Sequence, residues 1–129
     1  MKFYDVSLPI GEGMIVYPKT PFPSIKRYSR IPLDSVNESL ITLGSHTGTH
    51  VDSKLHIKDN VDGAEALALN SFYGKCKVLD LTDVEKEIDR KDLESHDIKN
   101  GDIILLKTRN SKIGYREFRT DFVYIKVDA

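Results

Sequence analysis

Polar and apolar positions in this chain fall into short blocks, which is typical of short strands and turns. Residues 24–31 and 38–43 alternate in polarity and predict two strands. Residues 77–81 and 103–106 are nearly continuous apolar runs and predict buried strands, while 3–10 reads as a further short strand. The pattern predicts an α+β fold whose sheet is mainly antiparallel or mixed, with a few short helices.

The helical segments predicted by the sequence are short. Thr82 followed by Glu85 fits a capping box and predicts a helix that opens at Thr82. Residues 89–96 and 63–69 each predict a further short helix. Segment 11–23 is rich in glycine and proline, so it is expected to form a loop or an extended arm.

Composition limits the function classes that remain open. The 129 residues are 40% hydrophobic and 30% charged, which suits one domain over residues 1–129 with a real core. The net charge of -1 offers no basic field for nucleic acid or an anionic membrane surface. No signal peptide and no membrane-spanning stretch are visible, so a cytoplasmic location is expected. Cys76 is the single cysteine, which excludes an internal disulfide.

The last residues resemble the beginning of a helix rather than the end of a domain. Asp128 is followed directly by Ala129, and aspartate is a common residue at a helix N-cap. We therefore expect the domain to be incomplete at its C-terminal end.

Candidate chemistry is concentrated in one short segment. Three of the four histidines, His46, His50 and His56, fall close together with Asp52 among them, whereas His96 stands apart in a polar stretch. Imidazole and carboxylate groups are suitable ligands for zinc, manganese or iron. The cluster predicts a metal site. The alternative is a half-buried strand whose polar residues simply face solvent.

The backbone of this segment is expected to be extended. Gly44, Thr47 and Gly48 are poor helix residues, so an arrangement of two histidines on one helical turn is disfavoured. On extended chain, alternate side chains lie on the same face. All four residues of the cluster have even numbers, so they would share one face. His46 and His50 would then start about 13 Å apart, so both reach one ion only if the chain bends. Gly48 is the expected bend, and its missing side chain would leave room for the metal.

Residues 46–56, His-Thr-Gly-Thr-His-Val-Asp-Ser-Lys-Leu-His, resemble the His-x-Gly-Thr-His-x-Asp-x-Pro-x-His signature of the cyclase family. That family includes bacterial kynurenine formamidase and isatin hydrolase, which are metal-dependent amidohydrolases. Other stretches are similar as well: 5–10 resembles the family's opening, 72–81 its central strand and 101–108 its Gly-Asp-hydrophobic-Thr strand. The resemblance covers essentially the whole chain.

The resemblance implies a role for each residue of the cluster. His46, His50 and Asp52 would be ligands of a divalent metal, with zinc preferred and manganese or iron as alternatives. His56 would be the catalytic acid/base. The implied fold is a swivelling β/β/α domain, the implied substrate is a small molecule with an amide, formamide or cyclic amide bond, and the implied assembly is a homodimer or larger homo-oligomer.

Two departures from the family pattern open alternatives. Lys54 replaces the signature's proline, which makes the turn before His56 less rigid and adds a cation. Family members are also longer, and their C-terminal part supplies a further histidine and a glutamate to the metal site. A truncated relative that binds metal or forms oligomers but is catalytically impaired is therefore the main alternative. A plain interaction domain with incidental histidines is the third.

Overall fold

The computed structural model describes residues 2–114 and 116–129. The chain divides into two compact units. One covers the chain as far as Ala64 together with Arg116–Phe118, and the other covers Glu65–Tyr115 and Arg119–Ala129. All four residues of the histidine cluster belong to the first unit.

An antiparallel hairpin is the regular part of the first unit. Strand β1 (Ser24–Ser29) pairs with β2 (Glu38–Thr42), and Ile25 lies opposite Ile41 in the register. Both strands lie where alternating polarity predicts them, because a half-exposed strand places successive side chains on opposite faces.

The strand predicted over residues 3–10 is wrong, since that segment forms no strand. Two of its backbone N–H groups are bound by side chains instead of a neighbouring strand. The Ser7 N–H donates to Asp5 Oδ1 at 2.9 Å, and the Leu8 N–H donates to Thr49 Oγ1 at 2.9 Å. These bonds compete directly with ladder pairing.

The second unit contains two parallel strand pairs. Strand β3 (Cys76–Leu81) pairs with β5 (Ile103–Thr108), and β4 (Glu87–Ile88) pairs with β6 (Tyr124–Ile125). Among the described residues, the buried hydrophobic side chains of this unit are those of Leu79, Leu81, Ile88 and Val123. The structure therefore confirms a mixed α/β arrangement with short sheets and few helices.

Helices are short throughout the described part of the chain. Helix α1 (Arg90–Glu94) follows the N-cap Asp89 and confirms the short helix predicted over residues 89–96. Helix α2 (Asn110–Ile113) was not predicted. Three single 3₁₀ turns occur at Lys54–His56, Ala64–Ala66 and Leu69–Ser71. Among residues 2–114 and 116–129 there is no helix with the length and apolarity needed to cross a bilayer.

The helix predicted to open at Thr82 is also wrong. The Thr82 hydroxyl donates to Asp80 Oδ1 at 2.7 Å, and the Thr82 N–H donates to the same oxygen at 3.2 Å. The chain turns there and continues into β4. The reciprocal capping box forms at the next helix, between Asp89 and Asp92.

Candidate metal centre

The cluster lies on a bent loop that follows β2, and not on an extended strand as predicted. A turn closes at its start, where the Thr47 N–H donates to the Gly44 carbonyl at 3.0 Å. The chain then runs through bends as far as Thr49. Alternation of side chains along a strand therefore does not explain why the ligand residues share a side. The turn and the bends bring them together.

Gly48 is the bend that the sequence predicts, but its missing side chain has a different role from the expected one. Its φ of +69° lies in the left-handed region, which glycine adopts without strain. A Cβ there would lie 3.3 Å from Met14 Cε and 3.7 Å from Ile10 Cγ1. The segment before β1, residues 2–23, is called the N-terminal arm. It fills the space beside Gly48, so the missing side chain lets the arm approach the loop.

Three side chains converge to form a compact triangle of donor atoms. His46 Nδ1 lies 2.9 Å from Asp52 Oδ1 and 3.1 Å from His50 Nε2, and His50 Nε2 lies 3.5 Å from Asp52 Oδ1. His46, His50 and Asp52 form a group that could hold one metal ion. Their side chains are 38%, 30% and 57% exposed, so a small molecule can reach them.

A backbone contact fixes the proton of one imidazole. The carbonyl oxygen of Gly48 lies 2.8 Å from His50 Nδ1. A carbonyl only accepts, so Nδ1 of His50 must be the donor, and Nε2 of the neutral ring is left with its lone pair. Metal-ligating histidines commonly have their second nitrogen held in this way.

The donor set fits a divalent ion. In a tetrahedral zinc site with bonds of about 2.0–2.1 Å, neighbouring ligand atoms lie about 3.3–3.4 Å apart. The three distances of the triangle, between 2.9 and 3.5 Å, bracket that spacing. Two imidazole nitrogens and one carboxylate oxygen also match the ligand types that zinc accepts.

His56 stands beside the triangle without belonging to it. Its ring centroid lies 4.0 Å from that of His46, with the ring planes tilted by 47°. The 3₁₀ turn Lys54–His56 presents it, and the His56 N–H donates to the Ser53 carbonyl at 3.1 Å. The turn therefore forms with lysine at position 54. His96 lies in the other unit, after α1, and is not part of the cluster.

Two threonines of this loop lie in surroundings that the sequence does not reveal. Thr49 ties the N-terminal arm to the loop, because its Oγ1 accepts the Leu8 N–H. Thr47 is buried, and its hydroxyl has no hydrogen-bond partner among the described residues. A Cβ on Gly44 would come within 3.1 Å of Thr20 Cγ2, so Gly44 permits the close packing of this turn.

The second unit has an open depression of about 580 Å³ that none of the histidines line. Arg109 lies in its wall and donates to the carbonyl oxygens of Glu85 and Asp121. The Arg119 guanidinium donates twice to the Asp121 carboxylate and holds its pKa at about 2. Arg109 and Asp121 are thus both engaged with other groups of the protein, which is typical of a structural network.

Comparison with known proteins places the chain in a family. A family model described as putative cyclase matches residues 4–129. With a fold that combines short sheets and few helices, and with a site that can hold a metal, the chain belongs to the cyclase family.

Comparison with individual curated proteins also indicates the cyclase family. Kynurenine formamidase of Bacillus cereus is 33% identical over 110 residues, which are 83% of this chain and 51% of that protein. Kynurenine formamidase of Erythrobacter litoralis is 30% identical over 129 residues, which are 99% of this chain and 58% of that protein. The chain therefore spans about half the length of the curated relatives it matches.

Two solved structures are similar to this chain. One is described as a potential metal-dependent hydrolase with cyclase activity; it is 38% identical, with a TM-score of 0.80, and the match covers 97% of this chain and 58% of that one. The other is a predicted metal-dependent hydrolase from Bacillus stearothermophilus, 38% identical, with a TM-score of 0.77 and coverage of 97% and 60%. Together with the triangle of donor atoms, these neighbours support a divalent metal.

Proposed function

We propose that this chain is a metal-dependent hydrolase of an amide, formamide or cyclic amide bond, similar to arylformamidase. His46, His50 and Asp52 hold the ion, for which zinc is the first candidate and manganese or iron the alternatives. The single observation behind the proposal is the triangle of donor atoms, with no side longer than 3.5 Å. The relatives named kynurenine formamidase support the reaction class.

A divalent ion held by these residues would supply Lewis acidity, lowering the pKa of a water toward about 7 and polarising a carbonyl oxygen. The residues of this chain supply the proton transfers. A ring nitrogen of His56 accepts the proton of the attacking water as the new carbon–oxygen bond forms. It returns that proton to the leaving nitrogen as the carbon–nitrogen bond breaks. The position of the His56 ring beside His46 supports this assignment.

The substrate is a small molecule, and its non-reacting part is apolar. Met14 and Ile10 from the N-terminal arm pack beside Gly48, between the two histidine ligands in sequence. Ile10 remains 49% exposed, so it offers apolar surface next to the polar cluster. This arrangement supports an aryl or alkyl group attached to the scissile bond. The swivelling β/β/α topology and the cytoplasmic location remain predictions of the same proposal.

The test is hydrolysis of N-formylkynurenine or a simple aryl formamide by the zinc-loaded chain. We expect turnover that falls about 10²–10⁴-fold in His56→Ala. Zinc content should not change, because His56 is outside the triangle. His96→Ala removes a histidine from the other unit and is the matched control, with activity retained. Equal losses in the two variants would contradict the role of His56.

A second candidate function has one observation in its favour. The triangle of donor atoms is complete without His56, which supports a relative that binds metal or forms oligomers but is catalytically impaired. The same experiment separates the two. Stoichiometric zinc without turnover on either substrate would favour the second candidate over the hydrolase.

A further inference from the structure

Lys54 begins the 3₁₀ turn that presents His56, and it stands where the cyclase signature has a proline. The backbone at this position suits proline. Ser53 is extended, with φ of -103° and ψ of 169°, which is close to the conformation that a residue before proline adopts. Lys54 is the first residue of the turn, where the missing N–H of a proline costs nothing. The backbone therefore does not require lysine here.

The side chain is what lysine adds at this position. The Lys54 carbonyl oxygen accepts the N–H groups of Ile57 and Lys58, both at 3.1 Å, and a proline carbonyl would accept the same two bonds. The Lys54 ammonium makes no hydrogen bond or ion pair with any residue of 2–114 or 116–129, although Asp52 lies only two positions before it. This ammonium is therefore available to a ligand.

The ammonium can also reach a molecule bound at the triangle of donor atoms. Consecutive Cα atoms lie about 3.8 Å apart, so the Cα of Lys54 is within about 7.6 Å of the Cα atoms of Asp52 and His56. The flexible four-carbon stem of lysine spans a comparable distance. Lys54 is exposed, so the packing around it leaves the stem free to turn toward a ligand.

The charge of the site indicates which chemical group Lys54 would meet. Asp52 is the acidic member of the triangle, and its Oδ1 already lies 2.9 Å from His46 Nδ1 and 3.5 Å from His50 Nε2. A divalent ion with one carboxylate and two neutral imidazoles leaves one net positive charge, and Lys54 adds a second. A lysine repels a metal ion, so metal binding does not explain it. Both positive charges attract an anion.

We propose that Lys54 is a specificity-determining residue, and that the substrates of this chain carry an anionic group such as a carboxylate close to the scissile amide bond. The Lys54 ammonium donates a charge-assisted hydrogen bond to that group, while the scissile carbonyl lies at the triangle. Lys54 takes no part in making or breaking bonds. This inference deepens the proposed function and rests on it, because the substrate must lie beside the ion that the triangle holds.

The experiment measures binding by isothermal titration and does not require turnover. The zinc-loaded chain is titrated with two probes that differ in charge, the monohydroxamate of succinic acid and its methyl ester. Both present a hydroxamate to zinc, and only the first carries a carboxylate. We expect the original chain to prefer the carboxylate probe at low salt. Lys54→Pro and Lys54→Met should lower this preference about fivefold, while Lys54→Arg should keep it. Added salt should weaken the preference, because exposed charges are screened.

Lys26→Met is the matched control, since Lys26 is exposed on β1 in the same unit and the substitution removes the same charge. Its preference should equal that of the original chain. An equal fall in Lys26→Met and Lys54→Met would overturn the inference, because net charge alone would then explain it. So would a preference that is lost in Lys58→Met and kept in Lys54→Met.

Failure of the inference can be distinguished from failure of the proposed function. If the chain holds zinc and the two probes bind equally well, or neither binds, the inference is overturned and the metal site stands. If the chain holds no zinc, the proposed function fails and the inference fails with it. Zinc content is therefore measured on every variant before titration.

Discussion

The Nδ1–H of His50 donates a hydrogen bond to the carbonyl oxygen of Gly48 at 2.8 Å. This bond links the proton position of a candidate ligand to the backbone conformation of its neighbour. Gly48 holds its carbonyl in place with a φ of +69°, which residues with a side chain rarely adopt. The geometry of the candidate metal centre therefore depends on a residue that contributes no ligand atom.

Gly48→Ala should weaken metal binding although every ligand remains. The left-handed conformation costs a residue with a Cβ roughly 1–2 kcal/mol, and the new methyl group would lie 3.3 Å from Met14 Cε. A smaller fraction of the molecules would have the loop in the conformation that binds metal, and the apparent affinity falls in proportion to that fraction. We therefore expect zinc to bind about 5–30-fold more weakly. Isothermal titration with zinc measures this change.

Gly11→Ala is the control for that variant. A Cβ on Gly11 would meet no heavy atom within 4 Å, and its φ is not in the left-handed region. Zinc affinity should be unchanged. An equal loss of affinity in both variants would show that the conformation of Gly48 has no special part in binding.

Thr49→Val should release the N-terminal arm without removing the metal site. Valine keeps the shape of the side chain but removes the oxygen that accepts the Leu8 N–H. The expected loss in free energy of unfolding is about 0.5–1.5 kcal/mol. Hydrogen exchange at the Leu8 amide should become faster, while zinc affinity stays close to that of the original chain.

Thr42→Val is the control, since the Thr42 side chain makes no hydrogen bond to any described residue. Exchange at Leu8 should then be unaffected. If Thr49→Val also leaves the exchange rate at Leu8 unaltered, Thr49 does not hold the arm in solution.

Acid should destabilise the chain partly through Asp80. Hydrogen bonds from Lys107 and then from Thr82 lower the pKa of Asp80 from 3.8 to about 2. A carboxylate whose pKa is lower in the folded state than in the unfolded one stabilises the fold above its unfolded pKa. That contribution is present above about pH 4 and is lost as the pH falls toward 2.

Asp80→Asn should therefore be less stable than the original chain near neutral pH, and its stability should fall less steeply between pH 4 and pH 2. Urea denaturation followed by circular dichroism at several pH values measures both effects. Asp128→Asn is the control, because Asp128 makes no ion pair within the described ranges. If the stability of Asp80→Asn falls with acid as steeply as that of the original chain, the Asp80 carboxylate is not the source of the acid dependence.

The residues of the candidate site were predicted from sequence, but their geometry was not. A dense group of histidines with Asp52 identifies suitable ligands by type alone. Side-chain alternation on an extended segment gave the wrong reason for their convergence. A left-handed φ at Gly48 and the turn closed by Thr47 bring the donors together, and a polarity pattern does not reveal either feature.

The fold shows the same division between local and non-local information. Strands β1 and β2 lie where their polarity pattern predicts them. They are consecutive in the chain and pair with each other, so local sequence is enough to predict them. The pairings of β3 with β5 and β4 with β6 join distant segments. Their register depends on packing that no local pattern specifies. At Thr82 a local signal was misleading, because Asp80 accepts the hydroxyl that would otherwise cap a helix.

The most direct test of the central claim compares the zinc content of the original chain with that of His50→Ala. Each protein is loaded with zinc and dialysed, and the zinc per chain is measured by inductively coupled plasma mass spectrometry. The claim is that His46, His50 and Asp52 share one divalent ion. We expect stoichiometric zinc in the original chain and in His96→Ala, and a loss of most of the zinc in His50→Ala. Little zinc in the original chain, or the same zinc content in all three proteins, would contradict the claim.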